Sequence, residues 1–162
     1  MVVKEYGLNM QITQFSDYAF RLLIFVAELP AGRLTTIQEV ADSFHISRHH
    51  LVKVAQRLAA LQMIQTTRGK AGGICLEPKA LELTVREILE KTETNLNLVE
   101  CFNRKENKCP IAGHCELQSI LLKATRAFLT VLQEYTLSDL VQNRHSAARK
   151  QILKMVKSAA ER

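Results

Sequence analysis

The sequence predicts a mainly α-helical chain with one small β-hairpin. The expected architecture is a winged helix-turn-helix domain followed by a long dimerisation helix. Three observations predict it. Apolar residues recur at threes and fours along most of the 162 residues. Two short helical patterns meet at a tight turn, and a glycine-rich, basic hairpin follows them. A final apolar pattern runs from Leu117 to Tyr135, roughly five turns at about 3.6 residues per turn.

Taken in order, residues 1 to 10 read as a frayed leader, with Met10 as a second start. Phe15, Tyr18, Ala19, Leu22, Leu23, Val26 and Leu29 give the first helix one buried face. Ser16 is expected to cap it, and Pro30 with Gly32 to end it. Thr36-Ile-Gln-Glu39 is a capping box that opens a second helix ending near Phe44. His45-Ile46 makes the turn. Ser47 is expected to cap the third helix, which buries Leu51, Val54, Ala55, Leu58 and Leu61. Met63 to Leu76 holds two strand-like pieces around Arg68-Gly-Lys70-Ala-Gly72-Gly73, the expected wing. Cys75, between Ile74 and Leu76, reads as a small core residue.

A second capping box, Thr84-Val-Arg-Glu87, opens a helix through about Lys91. After the long helix, Thr136 is expected to cap a short one, Leu137 to Val141. From Arg144 the chain reads as a basic frayed helix or disordered tail. The expected divisions are 10–92 for the winged helix, 93–116 for a cysteine segment, 117–143 for dimerisation and 144–162 for the tail.

Bulk composition narrows the function. Hydrophobic residues make up 47% of the chain, enough for a core, and the net charge is +6. A basic balance favours a polyanionic partner, either nucleic acid or an anionic membrane surface. Charged residues interrupt every apolar run before it reaches membrane-spanning length, and the N-terminus lacks a secretory apolar core. A cytoplasmic protein with reduced thiols and no membrane partner is expected. Over residues 33–73, six cations face two carboxylates, a net of +4.

That segment carries the expected DNA-binding residues. Arg48, His49, His50 and Lys53 lie on or beside the polar face of the third helix, where they would meet base edges or phosphates in the major groove. Arg68 and Lys70 at the wing tip would reach an adjacent minor groove. Gly72 and Gly73 would let the backbone turn sharply and approach a phosphate. Thr36, Gln38 and Ser47 sit near helix starts, where phosphates bind. Singly, each cation fits a solvated helix face equally well. The ordered set is far more specific.

Three of the four cysteines fall within fifteen residues, Cys101, Cys109 and Cys115, on a polar loop carrying Pro110 and Gly113. The spacing Cys-x7-Cys-x5-Cys matches neither a ferredoxin run nor a paired C-x2-C zinc site. Three thiolates leave a cluster or a zinc ion one ligand short. The fourth must come from His114, a carboxylate, another chain or a small molecule. Arg104, Lys105 and Lys108 would offset the negative charge of thiolates or of a cluster.

Three stretches resemble the NsrR/IscR superfamily of winged-helix regulators. They are Gln11-Ile-Thr-Gln-Phe-Ser-Asp17-Tyr-Ala, the Arg68-Gly-Lys-Ala-Gly-Gly73 wing and Tyr135-Thr-Leu-Ser-Asp-Leu-Val141. The last is similar to the nitric-oxide-sensing repressors of the NsrR type, and the three-cysteine loop sits where this superfamily carries its own. The resemblance spans about residues 10–143. It implies a homodimeric transcriptional repressor with one iron–sulfur cluster per subunit, of the 4Fe–4S type. By the same resemblance Cys101, Cys109 and Cys115 are ligands, and Asp17 of the partner subunit supplies the fourth. Nitric oxide would then release the repressor from its operator DNA. IscR-type members place a histidine three residues after the third cysteine; here that residue is Gln118.

Alternatives remain at this level. One is an IscR-like 2Fe–2S regulator; another senses through thiol oxidation or zinc. A different class is an iron–sulfur electron-transfer protein, against which the basic winged helix speaks. An enzyme is not expected, because no nucleophile–base pair, paired-carboxylate motif or phosphate-binding P-loop stands out.

Overall fold

The computed structural model describes residues 11–30, 32–69, 72–142 and 147–160. The expected leader with Met10, and Lys70 of the wing tip, lie outside the described residues. Among the described residues the fold is helical apart from one two-stranded antiparallel sheet.

Helix α1, Gln14–Ala27, is the centre of the domain. Ala19, Leu22, Leu23, Phe25 and Val26 are buried, and α1 touches most of the elements that follow. Its cap is Thr13 rather than the expected Ser16. The Thr13 hydroxyl accepts the Ser16 amide at 3.3 Å, and Ser16 is fully buried inside the first turn. Two neighbouring hydroxyl residues compete for one cap, and the one outside the helical turn takes it.

Helix α2, Ile37–Phe44, begins with both halves of the Thr36/Glu39 capping box. His45 ends it in the left-handed conformation, φ 54°. Helix α3, Arg48–Ala60, buries Leu51, Val54, Ala55 and Leu58 as expected. Ser47 holds its N-cap position but makes no side-chain cap bond.

Strands β1, Ile64–Thr67, and β2, Gly73–Leu76, pair with Ile64 opposite Leu76 and Thr67 opposite Gly73. A strap ties this wing to the turn before α2: Thr35 and Ile74 exchange backbone hydrogen bonds of 3.0 and 2.7 Å. The glycines have local causes. A Cβ on Gly73 would lie 2.7 Å from the Thr35 carbonyl, and one on Gly72 would lie 2.2 Å from the Thr67 carbonyl. Cys75 differs from expectation. The strand alternates, so Ile74 points into the core while Cys75 is half-exposed opposite Gln65.

A 3-10 turn, Pro78–Glu82, leads to helix α4, Val85–Thr92, with the second capping box complete. Helix α5, Glu116–Gln133, has the expected five turns and no buried residue. Helix α6, Leu137–Gln142, buries Leu137 and Val141. Backbone bonds from Val85 to Tyr135 and from Leu137 to Leu83 clamp the starts of α4 and α6 together. Hydrogen bonds from the Thr84 and Thr136 amides and hydroxyls hold the Glu87 and Asp139 carboxyls below the usual carboxylate range.

The basic C-terminal region differs most from expectation. Residues Ala147–Ala160 form a helix, α7, that docks against α2. Val156 is buried, and Ile152 and Met155 pack on the core. Glu28, just past α1, is buried and pairs with Arg149, whose Nε lies 2.9 Å from Oε1 and donates to Oε2 at 3.2 Å. Arg33 donates to the Val156 carbonyl at 2.7 Å. The weak amphipathic pattern gave no signal of this because only one narrow face of α7 is covered. Replacing Val156 with Ala removes two buried carbons and should cost about 2 kcal/mol. Thermal unfolding should show a midpoint lowered by about 5 °C, and an unchanged midpoint would place α7 off the core.

Candidate functional site

The exposed face of α3 presents Arg48, His49, His50 and Lys53 to solvent. Its direction is set by the buried Leu51, Val54, Ala55 and Leu58, which fix α3 against α1 and α2. His50 packs on Tyr18 of α1, with ring centroids 6.2 Å apart and planes 25° from parallel. Arg48, His49 and Lys53 are therefore the more available for a ligand.

Thr36 and Gln38 are exposed at the start of α2. The Thr36 oxygen accepts the Glu39 amide at 3.1 Å, which leaves its hydroxyl proton to be donated elsewhere. Gln38 donates to Asp42 at 2.7 Å. Arg68 is exposed just beyond β1, and Gly69 takes φ 110° to turn the tip. Lys70 lies outside the described residues. Gly72 and Gly73 are required by the close approach of the chain's own backbone, so their presence is accounted for without a phosphate.

The cysteine loop joins α4 to α5. Cys101 lies in a short 3-10 turn, Glu100–Phe102, and Cys115 is the residue that starts α5. Cys101, Cys109 and Cys115 are all free and half-buried. One side chain fastens the loop. Gln118, on the first turn of α5, donates to the Cys101 carbonyl at 3.2 Å and accepts the Gly113 amide at 2.8 Å. Glu100 accepts the Lys108 amide at 2.6 Å, and Asn107 accepts that of Cys109 at 2.9 Å. Sequence reasoning noted Gln118 only as a missing ligand. Its place one turn after Cys115 was the available signal for a fastening role.

Three free thiols on one fastened loop fit an iron–sulfur group in the kind of donor offered. They do not by themselves complete it. Among the described residues, no three His, Cys, Asp or Glu side chains are gathered closely enough to hold a metal ion. Backbone hydrogen bonding shapes the loop, and thiols alone offer little to draw them together.

Asp17 lies on α1, half-buried, and is held by Arg21 through two hydrogen bonds of 3.1 and 2.6 Å. The Arg21 guanidinium carbon sits 5.8 Å from the centre of the Tyr18 ring. Asp17 is thus linked through Arg21 and Tyr18 to His50 on α3. It also lines a groove of about 680 Å³ with Glu93, Leu98, Ala124 and Phe128. Glu93 accepts both the Thr13 amide, at 2.8 Å, and the Thr13 hydroxyl, at 3.0 Å. The entrance to the cysteine segment is therefore bound to the cap of α1. Nothing in the sequence marked the Thr13–Glu93 pair, which joins residues eighty positions apart.

On α5, Leu117, Ile120, Ala124, Phe128 and Val131 form an exposed seam at spacings of three and four, continued by Tyr135 just past its end. Ile120 is 61% exposed and Val131 52%. No helix of the described residues is long and apolar enough to cross a membrane.

Comparison with known proteins places this arrangement. Residues 12–143 match the family model described as Rrf2, iron-dependent transcriptional regulator. The chain is 43% identical over 134 residues to the HTH-type transcriptional regulator NsrR of Shouchella clausii, covering 83% of this chain and 90% of that one. It is 40% identical over 148 residues to NsrR of Bacillus subtilis, covering 91% and 98%. Among solved structures, a putative transcriptional regulator from Listeria innocua superposes with a TM-score of 0.67 at 22% identity, covering 88% of this chain and 93% of that one. IscR of T. potens superposes with a TM-score of 0.66 at 16% identity, covering 83% and 88%, and shares the fold. The chain belongs to the Rrf2 family of winged-helix transcriptional regulators and groups with its NsrR members.

Proposed function

We propose that the chain is a homodimeric, DNA-binding transcriptional repressor that senses nitric oxide through an iron–sulfur cluster, most simply 4Fe–4S. The observation that carries this is the joining of a winged helix to one loop with three free thiols, in a chain of NsrR kinship. Cys101, Cys109 and Cys115 would hold the cluster, and the partner subunit's Asp17 would complete the ligand set. When bound, the cluster supplies iron that reacts with nitric oxide.

The chain's own residues do the rest. Gln118 holds the first and third parts of the loop at the start of α5. Arg21 keeps the Asp17 carboxylate oriented and connects it, through Tyr18, to His50. A change in what Asp17 holds is therefore felt at the face of α3. Arg48, His49 and Lys53 would meet the major groove, with His50 set against Tyr18 at the edge of that surface. Arg68 would reach the minor groove with Lys70 beyond it, and Thr36, Gln38 and Ser47 would hold phosphates. Dimer formation sets the spacing of two such surfaces, so operator binding depends on how the subunits sit together.

The division of labour follows the chain. Residues 10–92 would read DNA, 93–116 sense, and 117–143 dimerise. Catalysis has no part in this role, and the protein would act in the cytoplasm. A colourless sensor using thiol oxidation or zinc is the second reading, favoured by Arg104, Lys105 and Lys108 around the thiols.

Protein purified without oxygen should show cluster absorption, with about four irons per chain, that collapses on adding nitric oxide. The Cys109→Ser variant should stay folded and dimeric but lack the absorption. Wild-type protein that is colourless or holds zinc would move sensing to thiols. Replacing Gln118 with Ala should shorten cluster lifetime in air severalfold while the thermal midpoint of the apoprotein changes little. An unchanged lifetime would remove Gln118 from the support of the loop. Replacing Ile120 with Glu puts a charge in the α5 seam and should convert the dimer to monomer by light scattering. A retained dimer would place the interface off this seam.

A further inference from the structure

The C-terminal helix carries charge that neither the cysteine loop nor the winged helix uses. Helix α7 holds Arg149, Lys150, Lys154 and Lys157 and no carboxylate. Arg149 turns inward onto Glu28. The three lysines are exposed and recur at spacings of four and three, which places them in one stripe along the outer face. Among the described residues, no carboxylate lies within ion-pair distance of these lysines. Like charges one turn apart weaken an isolated helix slightly, while Lys157 in the last turn is favoured by the helix dipole.

The helix is also fixed in place. Arg149 ties its first turn to the end of α1, and Arg33 ties its C-terminal half through the Val156 carbonyl. Arg33 belongs to the turn whose Thr35 is strapped to the wing at Ile74 and whose Thr36 opens α2. Lys157 follows Val156 directly. The C-terminal end of the stripe therefore lies one residue from a point tethered to the turn that joins the wing base to α2. The match to the family model ends at residue 143, before α7 begins, while the match to NsrR of Bacillus subtilis spans 148 residues and so extends into α7.

We propose that α7 is an accessory DNA-contacting element. Its lysine stripe would engage the phosphate backbone of duplex DNA flanking the segment read by α3 and the wing. This rests on the DNA-binding function proposed above. Ammonium groups on flexible stems neutralise phosphates but read no base edges. The stripe should therefore strengthen binding to any duplex by a similar factor. Each lysine in contact would also release counterions and steepen the salt dependence.

The test is a salt titration of the full-length protein with a random-sequence duplex of about 30 base pairs, followed by fluorescence anisotropy. Wild type is compared with two triple variants, K150Q/K154Q/K157Q and K150R/K154R/K157R. The Gln variant should lower the slope of log affinity against log salt by about 0.9 for each contacting lysine, about 2 to 3 per subunit in all. The Arg variant should keep the wild-type slope. Thermal midpoints should match throughout, since all three side chains are exposed. A wild-type slope in the Gln variant would overturn the contact and leave the winged helix as the binding surface. Loss of slope in the Arg variant as well would show that charge is not the agent and would equally overturn it. Wild type that binds no duplex at any salt would overturn the DNA-binding function itself, and the role of α7 with it.

Discussion

Burial of α1 is the constraint on which the rest of the molecule depends. Leu22, Leu23 and Phe25 are fully enclosed, and α2, α3, β2, α4 and α6 all pack against this one helix. Close-packed interiors transmit small displacements, because they have few voids to absorb them. A helix so enclosed moves as a unit with its neighbours. Its two ends and its exposed edge then decide what it connects. The N-terminal cap is bound by Glu93 at the entrance to the cysteine segment. Tyr18 on its edge stacks on His50 of α3. Just past its C-terminus, Glu28 receives Arg149 of α7. The cysteine segment, helix α3 and helix α7 thus all refer to one rigid element.

The wing is positioned by a different device. Thr35 and Ile74 exchange backbone bonds, so the hairpin is joined to the turn that leads into α2. Gly73 is required at the crossing because a side chain there would strike the Thr35 carbonyl. The wing and the start of α2, the two outlying parts of the proposed DNA surface, therefore share one support. Helix α3 between them is held by its own buried leucines, valine and alanine.

A single subunit leaves conspicuous work undone. α5 buries none of its residues, although its apolar seam runs the whole length of the helix. The cysteine loop is fastened through Gln118, yet its thiols are not gathered with other donors into a metal site among the described residues. Asp17 stands on a groove beside α5, occupied with Arg21. These three features answer one another if a second copy covers the seam. The same contact would then bring a further carboxylate toward the loop.

Much of this was legible in the residues. Both capping boxes, Thr36/Glu39 and Thr84/Glu87, act where their spacing said they would, because a cap is a local bond within four residues. The turn at His45-Ile46, the buried face of α3, the hairpin and the length of α5 were equally plain. Their apolar period or turn chemistry is written in adjacent positions. Ser16 and Cys75 were misplaced by one turn of choice and by one step of strand alternation.

The sequence by itself determined which segments are helices, where the wing lies, which faces are apolar, and that three thiols share one loop. Those properties depend on neighbours along the chain. Tertiary structure alone decided that Glu93 holds the cap of α1, that His50 leans on Tyr18, that Gln118 fastens the loop, and that α7 docks on α2, buries Val156 and pairs Arg149 with Glu28. Each joins elements that meet only once the core has closed. Short-range patterns carry no record of such partners, because polar side chains take whatever donor or acceptor packing brings within reach.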